Sequence, residues 1–545
     1  MTVKTSAIVP PDLSTKARPH WPAHLHLIGD PRHPVSTEVD ARQLGNKAYN
    51  LGRMSRLGLN VPEALVLGTA HAHRPHQALP ALMQHGLPAL EAVVGKRLGD
   101  AHNPLLLSVR SGAAVSMPGM METILNIGLC DETVSGFMAQ TGHPRLVWDS
   151  YRRLVACYGE VVKGIDGEQF ESVLQSLTRG DDESLMDFAD LRELSRRFLL
   201  TYEQACGQRF PQSPLEQLRG AVLAVFESWH AEKARAYREA HGIDHDLGTA
   251  VTVQRMVFGN SGLHSGSGVG FTRNPTTGEH DLWVDFLPNA QGEDVVAGRR
   301  VALGADALAQ WMPEVWRQLQ DETHLLENAL GDMQDFEFTV EAGTLYFLQT
   351  RTGKRTTLAA ARIALDLLDE QAIDGPTARK RLQGLSASDL GVDQLVADDG
   401  AGEVPLPLAH AVVACPGIAS GEIALSSQRA MERAAAGHAV VLVRRDAETS
   451  DIAALEHSVG LLTQRGARTS HASVVARQMN KVCLVGCEGL AIDLGAGVVH
   501  LGDQTLAEGE SITLDGEQGH VHAGRLSKTR VVDEALAERL RRLKA

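Results

Sequence analysis

Gly466-Ala467-Arg468-Thr469-Ser470-His471-Ala472-Ser473-Val474-Val475-Ala476-Arg477 is the stretch around which the chain is organised. The preceding Val459-Gly460-Leu461-Leu462-Thr463 is short and apolar, and Val475 and Met479 then recur at helical spacing. Gly466 and Ala467 leave room for close backbone approach. The order is strand, small-residue turn and helix, with His471 in the first helical turn. Free backbone N–H groups and the positive end of the helix dipole lie there, which suits an anion.

A neutral imidazole is a good nucleophile toward phosphorus, and the N–P bond it forms is labile enough to pass the phosphoryl group onward. Arg468, Thr469 and Ser470 supply donors for phosphoryl oxygens. For a lone Thr-Ser-His tripeptide, a histidine that merely caps a helix is the commoner reading. The longer text is more specific. With Lys481-Val482-Cys483-Leu484-Val485-Gly486-Cys487 it resembles the phosphohistidine segment of the pyruvate phosphate dikinase and phosphoenolpyruvate synthase family, with Ala467 where that family usually has a second glycine. The resemblance implies that His471 carries the phosphoryl group. It also marks Thr469 as a regulatory phosphosite, because some dikinases are switched off by phosphorylation two residues before the histidine; charge there would repel incoming phosphates.

The chain has 545 residues, enough for several domains, with 43% hydrophobic and 22% charged residues. That is globular composition, and excludes disordered and fibrous classes. A formal charge of −15 argues against nucleic acid or an anionic membrane as the main partner. Cys130, Cys157, Cys206, Cys415, Cys483 and Cys487 lack a disulfide framework, which points to a reducing compartment. With no apolar stretch of signal or membrane length, the expectation is a cytoplasmic protein.

Residues 1 to about 40, rich in Pro and His, read as an extended arm. Leu44-Gly45-Asn46-Lys47-Ala48-Tyr49-Asn50-Leu51 reads as a glycine turn opening a helix, with Leu51, Met54 and Leu57 on one face. A lysine there is often merely solvated. The segment is similar to the opening of the dikinase nucleotide domain, which implies that Lys47 contacts ATP. Leu105-Leu106-Leu107-Ser108-Val109-Arg110-Ser111-Gly112 is a buried strand delivering Arg110, whose planar fork binds phosphate oxygens in pairs. Met117, Met120 and Met121 follow, and methionine is ordinarily core filler. The run Ser-Val-Arg-Ser-Gly through Ser116-Met117-Pro118-Gly119-Met120-Met121 nevertheless looks like the dikinase branch specifically. From about 160 to 245 the pattern is helical, and Ser265-Gly266-Ser267-Gly268-Val269-Gly270-Phe271-Thr272-Arg273-Asn274-Pro275 reads as a glycine-rich turn and strand.

Asp335-Phe336-Glu337-Phe338-Thr339-Val340-Glu341 alternates strictly, and Ala342-Gly343 leads to a second strand ending Gln349-Thr350-Arg351. Period-two alternation puts Asp335 and Glu337 on one face, either as a solvated surface or aimed into a cleft where Mg²⁺ meets nucleotide phosphates. A tight turn places Glu337 opposite Leu348, so Gln349 joins the carboxylate face only if the turn carries an extra residue. Such a bulge is expected. By resemblance to the family's ATP-grasp domains, Glu337 and Gln349 are the metal ligands, and Asp335 and Arg351 shape the phosphate site.

The expected fold is α/β and α+β in several domains. These are the N-terminal arm (1–40), an ATP-grasp nucleotide-binding domain (41–355) with a helical insertion at about 160–245, a helical linker and hinge (356–404), a compact α/β phosphohistidine swivel domain (405–525) and a C-terminal helix (526–545). The resemblance covers roughly residues 40 to 525 and implies an ATP-dependent phosphotransferase using ATP, Mg²⁺ and inorganic phosphate. His471, Arg110 and Lys47 are its catalytic residues. Full dikinases continue into a barrel that binds phosphoenolpyruvate or pyruvate, so that barrel is expected on a separate subunit. The other readings are transfer to another small molecule and a phosphohistidine carrier without metabolic turnover; a homo-oligomer is left open.

Overall fold

A computed structural model describes residues 22, 24–30, 39–115, 117, 120–178, 185–297, 302–396, 404–447, 451–466, 468 and 471–545. Strands β1 (Leu25–Ile28), β2 (Ala64–Leu67), β3 (Leu107–Ala113), β4 (Thr123–Ile127) and β5 (Thr249–Arg255) form a five-stranded sheet in the order β1-β2-β5-β3-β4. The arm expected over residues 1–40 therefore contains the sheet's edge strand. Leu25, Leu27 and Ile28 are buried, and a strand of four residues that includes His26 is too short to stand out among prolines and histidines. Helices from Asp131 to His241 fill the connection between β4 and β5 and share a large apolar core with the sheet, so the helical insertion begins earlier than about 160.

A second, antiparallel sheet holds β6 (Gly266–Phe271), β7 (Trp283–Pro288), β8 (Gln334–Glu341) and β9 (Thr344–Thr352) in the order β7-β6-β8-β9. Gly266–Phe271 of the glycine-rich segment is strand, so its three alternating glycines lie within β6 and none of them forms a turn. Gly266, Gly268 and Gly270 share one face of β6, where an added Cβ would lie 2.0, 2.4 and 2.7 Å from ring carbons of Phe286, Phe338 and Phe336. Their small size makes room for an aromatic core.

Two helices, Thr357–Asp369 and the shorter Gly375–Arg381, follow the hairpin. After a short 3-10 helix (Ala387–Leu390), β10 (Gly391–Val396) is a strand where the pattern of the linker predicts helix. The expected hinge at 397–402 lies outside the described residues. Strands β11 (Ala409–Cys415), β12 (Ile418–Ala424), β13 (Val440–Arg444), β14 (Gly460–Thr463) and β15 (Val482–Glu488) join β19 (Ser511–Asp515) and β20 (His520–Ala523) in a closed barrel. Between them, β16 (Leu490–Asp493), β17 (Val498–Leu501) and β18 (Gln504–Ala507) make a small meander. The parallel pairs β12·β13, β13·β14 and β14·β15 are crossed by helices, one of them His471–Gln478.

The last twenty residues are not all helix. β21 (Ser527–Val532) pairs antiparallel with β10, and only Glu534–Lys544 is helical. That helix returns to the linker, where Leu536, Ala537 and Leu540 pack on Ala361, Ala364, Leu365 and Leu390. Arg539 adds an ion pair to Asp366 at 2.8 Å. The chain thus enters and leaves the barrel through one two-stranded ribbon. Among the described residues, no helix is long and apolar enough to cross a membrane.

Candidate active site

The helix Ala41–Arg56 begins with Asp40, whose carboxylate accepts from the amides of Arg42 and Gln43 at 2.9 and 3.1 Å. It is broken at Gly45, which has φ +73°. A Cβ there would sit 1.8 Å from the carbonyl oxygen of Gly112, so only glycine lets the helix approach β3. The break sets Lys47 beside the end of β3, where Arg110 to Ala113 line the same cleft. Asn50 ties this helix to β9, donating to the carbonyl of Thr350 at 3.0 Å and to Asn46 at 3.2 Å.

The opposite wall is the β8–β9 hairpin. Ala342 and Gly343 form a tight two-residue turn with positive φ at both positions, and Glu341 faces Thr344. Register holds to Phe338 opposite Phe347 and then shifts, so that Glu337 faces Gln349. The extra residue is present, but it is Leu348 within β9 and not a residue of the turn. A strand bulge absorbs it because Phe338 and Phe347 are both committed to the buried face. Glu337 and Gln349 become neighbours on the other face, and Asp335 faces Arg351 one step away.

Lys47, Arg110, Glu337, Gln349 and Arg351 therefore line one cleft, closed on one side by Val115, Met117 and Met121. Arg110 is 3.7 Å from Glu337 and 3.4 Å from the side-chain oxygen of Gln254. Loss of hydration, aided by the charge of Arg110 and opposed by Glu337, lowers the pKa of Lys47 to about 8. Asp335 is held by Arg351 at 2.7 Å, yet its pKa is raised because burial outweighs the ion pair. Lys47 from the helix and Arg110 from β3 thus face Glu337 on β8, an arrangement suited to a phosphate chain with a divalent ion. Glu337 and Gln349 offer hard oxygen donors from adjacent strands, which fit Mg²⁺ and leave further positions for phosphate oxygens.

The barrel domain docks on the same sheet face. Asp285 faces Val269, Val269 faces Glu337 and Glu337 faces Gln349, one row across all four strands. At about 4.8 Å per strand, Asp285 lies roughly 10 Å from Glu337. Arg468 donates to Asp285 through Nη2 at 2.9 Å and Nε at 3.2 Å, and its guanidinium stacks on Trp283 at 4.4 Å. Arg477 lies 5.3 Å from the ring centre of Phe271 and 5.4 Å from that of Trp283, and is anchored on its own domain by the carbonyl of Ala414 at 2.8 Å. His471 opens the docked helix three residues after Arg468, a backbone span of at most about 10 Å. Its side chain, and Thr469 and Ser470 altogether, lie outside the described residues.

Asp285, Trp283, Phe271 and Gln254 were not singled out from the sequence. Asp285 sits in an apolar strand, Leu282-Trp283-Val284-Asp285-Phe286, and a lone carboxylate on the polar side of an alternating strand was the only signal for it.

Fold and cleft define a nucleotide-binding unit with a barrel domain docked over its polar sheet face. Residues 75–302 match the AMP/ATP-binding domain of pyruvate phosphate dikinase, and residues 437–519 match the mobile domain of enzymes that use phosphoenolpyruvate. The chain thus carries the ATP-binding domain of the pyruvate phosphate dikinases and the mobile domain of the phosphoenolpyruvate-utilising enzymes. It is 43% identical over 500 residues to pyruvate, phosphate dikinase of Clostridium symbiosum, an alignment covering 88% of this chain and 56% of that protein. With the enzyme of Rhizobium meliloti (strain 1021) it shares 41% over 512 residues, 89% of this chain and 56% of the relative. With the chloroplastic enzyme of Mesembryanthemum crystallinum it shares 40%, covering 89% and 52%. The chain spans about half the length of the curated relatives it matches.

Proposed function

We propose that this chain carries out the ATP half-reaction of a dikinase. ATP binds in the cleft, with Lys47 and Arg110 on its phosphates and Arg351 held in place by Asp335. A ring nitrogen of His471 attacks the β-phosphorus in line, the bond to the α-phosphate oxygen breaks, and AMP leaves. The terminal phosphate then passes to inorganic phosphate, which leaves a phosphoryl group on His471. Mg²⁺ on Glu337 and Gln349 would neutralise charge on the phosphate chain. Arg468, Thr469 and Ser470 stabilise the phosphoryl oxygens on the histidine side, and Thr469 is the place for regulation by phosphorylation. The phosphoryl group goes on to pyruvate bound on a barrel supplied by a separate subunit. Six free cysteines fit a reducing compartment such as the cytoplasm.

The observation that carries this reading is the docking of Arg468 on Asp285, in the same cross-strand row as Glu337 and Gln349. The test uses ATP labelled separately at the β and γ positions, with Mg²⁺ and with or without inorganic phosphate, and His471→Asn as control. Acid-labile β label on the wild type, release of AMP and nothing on the variant are expected. Label on the variant, or ADP as the product, would overturn it.

A further inference from the structure

The outer face of the barrel carries a second constellation of ligating side chains, remote in sequence from the cleft. In the β19–β20 hairpin Asp515 faces His520 and Thr513 faces His522, so Asp515, His520 and His522 project from one face. Their ligating atoms all lie within 4.8 Å of one another. His410, on the neighbouring strand, faces His520 with ring centres 4.8 Å apart.

The three positions are prepared in different ways. The turn amides of Glu517 and Gln518 both donate to Oδ1 of Asp515, at 2.9 and 3.1 Å, which fixes the carboxylate. His522 is 2% exposed, and neither ring nitrogen makes a well-formed hydrogen bond among the described residues, although the backbone of Pro405 lies close enough to act on it. Buried imidazoles are normally paired, so this one calls for a ligand. A pocket beside the three is bounded by Val392 and Gln394 of the linker strand and by Leu406.

We propose that Asp515, His520 and His522 bind a divalent transition-metal ion of the zinc type. Two imidazoles disfavour Mg²⁺ and Ca²⁺, which take oxygen ligands, and favour Zn²⁺, Co²⁺ or Ni²⁺. Ligand atoms around tetrahedral zinc stand about 3.3 Å apart, so the site closes by side-chain shifts of about 1 Å. The fourth position opens to the pocket. All three ligands belong to one hairpin, so the ion stiffens that hairpin where the linker ribbon passes over it.

The test titrates Co²⁺, then Zn²⁺, into the chelator-treated full chain. One equivalent of Co²⁺ giving visible absorption bands, displaced by one equivalent of Zn²⁺, is expected. His520→Ala and Asp515→Asn should each lose affinity by at least about tenfold with unchanged far-ultraviolet circular dichroism, and Glu337→Gln, in the nucleotide cleft, should keep it. Imidazole nitrogen resonances of the wild type provide a readout that needs no variant: two histidines should shift on adding Zn²⁺. Absence of Co²⁺ bands at one equivalent, no paired histidine shift, or wild-type affinity in His520→Ala and Asp515→Asn would each overturn the assignment.

Discussion

Removing Asp285 should undock the barrel domain without touching the phosphate cleft. Its side chain is 6% exposed and that of Arg468 23%, with two contacts at 2.9 and 3.2 Å onto one carboxylate oxygen. Undocking rehydrates both charges, so the cost is that of the interaction and not the larger penalty of a stranded buried charge. A hydrogen bond to a charged group contributes about 1.5–3 kcal/mol, and the partial exposure of Arg468 keeps the pair in the lower part of that range. A coupling of about 1.5–2.5 kcal/mol corresponds to a roughly 10- to 60-fold loss of the docked over the undocked population. The assay is a double-mutant cycle over Asp285→Ala and Arg468→Ala, read as docked fraction by energy transfer between one dye on each domain, without nucleotide. Asp285→Ala should also slow labelling of His471 in the same proportion. A docked fraction unchanged in Asp285→Ala, or a coupling energy near zero, would refute the reasoning.

Lys47 titrates near pH 8, so its charge, and with it ATP affinity, should be full below that pH and fall as pH rises through it; calorimetry from pH 7 to 9 should show an inflection that Lys47→Arg abolishes. The effect on stability has the opposite sign. A lysine whose folded pKa is depressed costs stability below about pH 8, and the cost is relieved as pH rises toward its ordinary value of 10.5. Gly45→Ala forces a Cβ to 1.8 Å from the Gly112 carbonyl at positive φ, and should lower the unfolding free energy in urea by about 2–5 kcal/mol while weakening ATP binding. Gly268→Ala sets a Cβ 2.4 Å from the ring of Phe338 and should cost about 1–3 kcal/mol in the same measurement, with strand register shifts visible by hydrogen exchange across β6–β8.

Local pattern carried much of this molecule. Alternation in Asp335–Glu341 told which side of β8 is buried, because a strand's side chains alternate whatever it pairs with. The break at Gly45 and the histidine at the head of its helix were legible for the same reason: a glycine turn and a helix start are set by a few consecutive residues. Where alternation was weak, the text misled. β10 and β21 pair through Asp393, Lys528 and Arg530, a polar ribbon whose strand character depends on a partner more than a hundred residues away. The glycines of β6 looked like a loop because the rings that fill their space come from β7 and β8.

Residue types and their faces were determined by the sequence alone: a histidine at a helix start, a lysine after a glycine break, an arginine on a buried strand, and two carboxylates on one side of another. Tertiary structure decided how these meet. The bulge at Leu348 turns Gln349 toward Glu337, and the row from Asp285 to Gln349 crosses four strands drawn from separate parts of the chain. Arg468 finds Asp285 across 183 residues of sequence. Periodicity is a property of each segment by itself, whereas register and docking are settled by which buried faces and charges fit one another once all segments are packed.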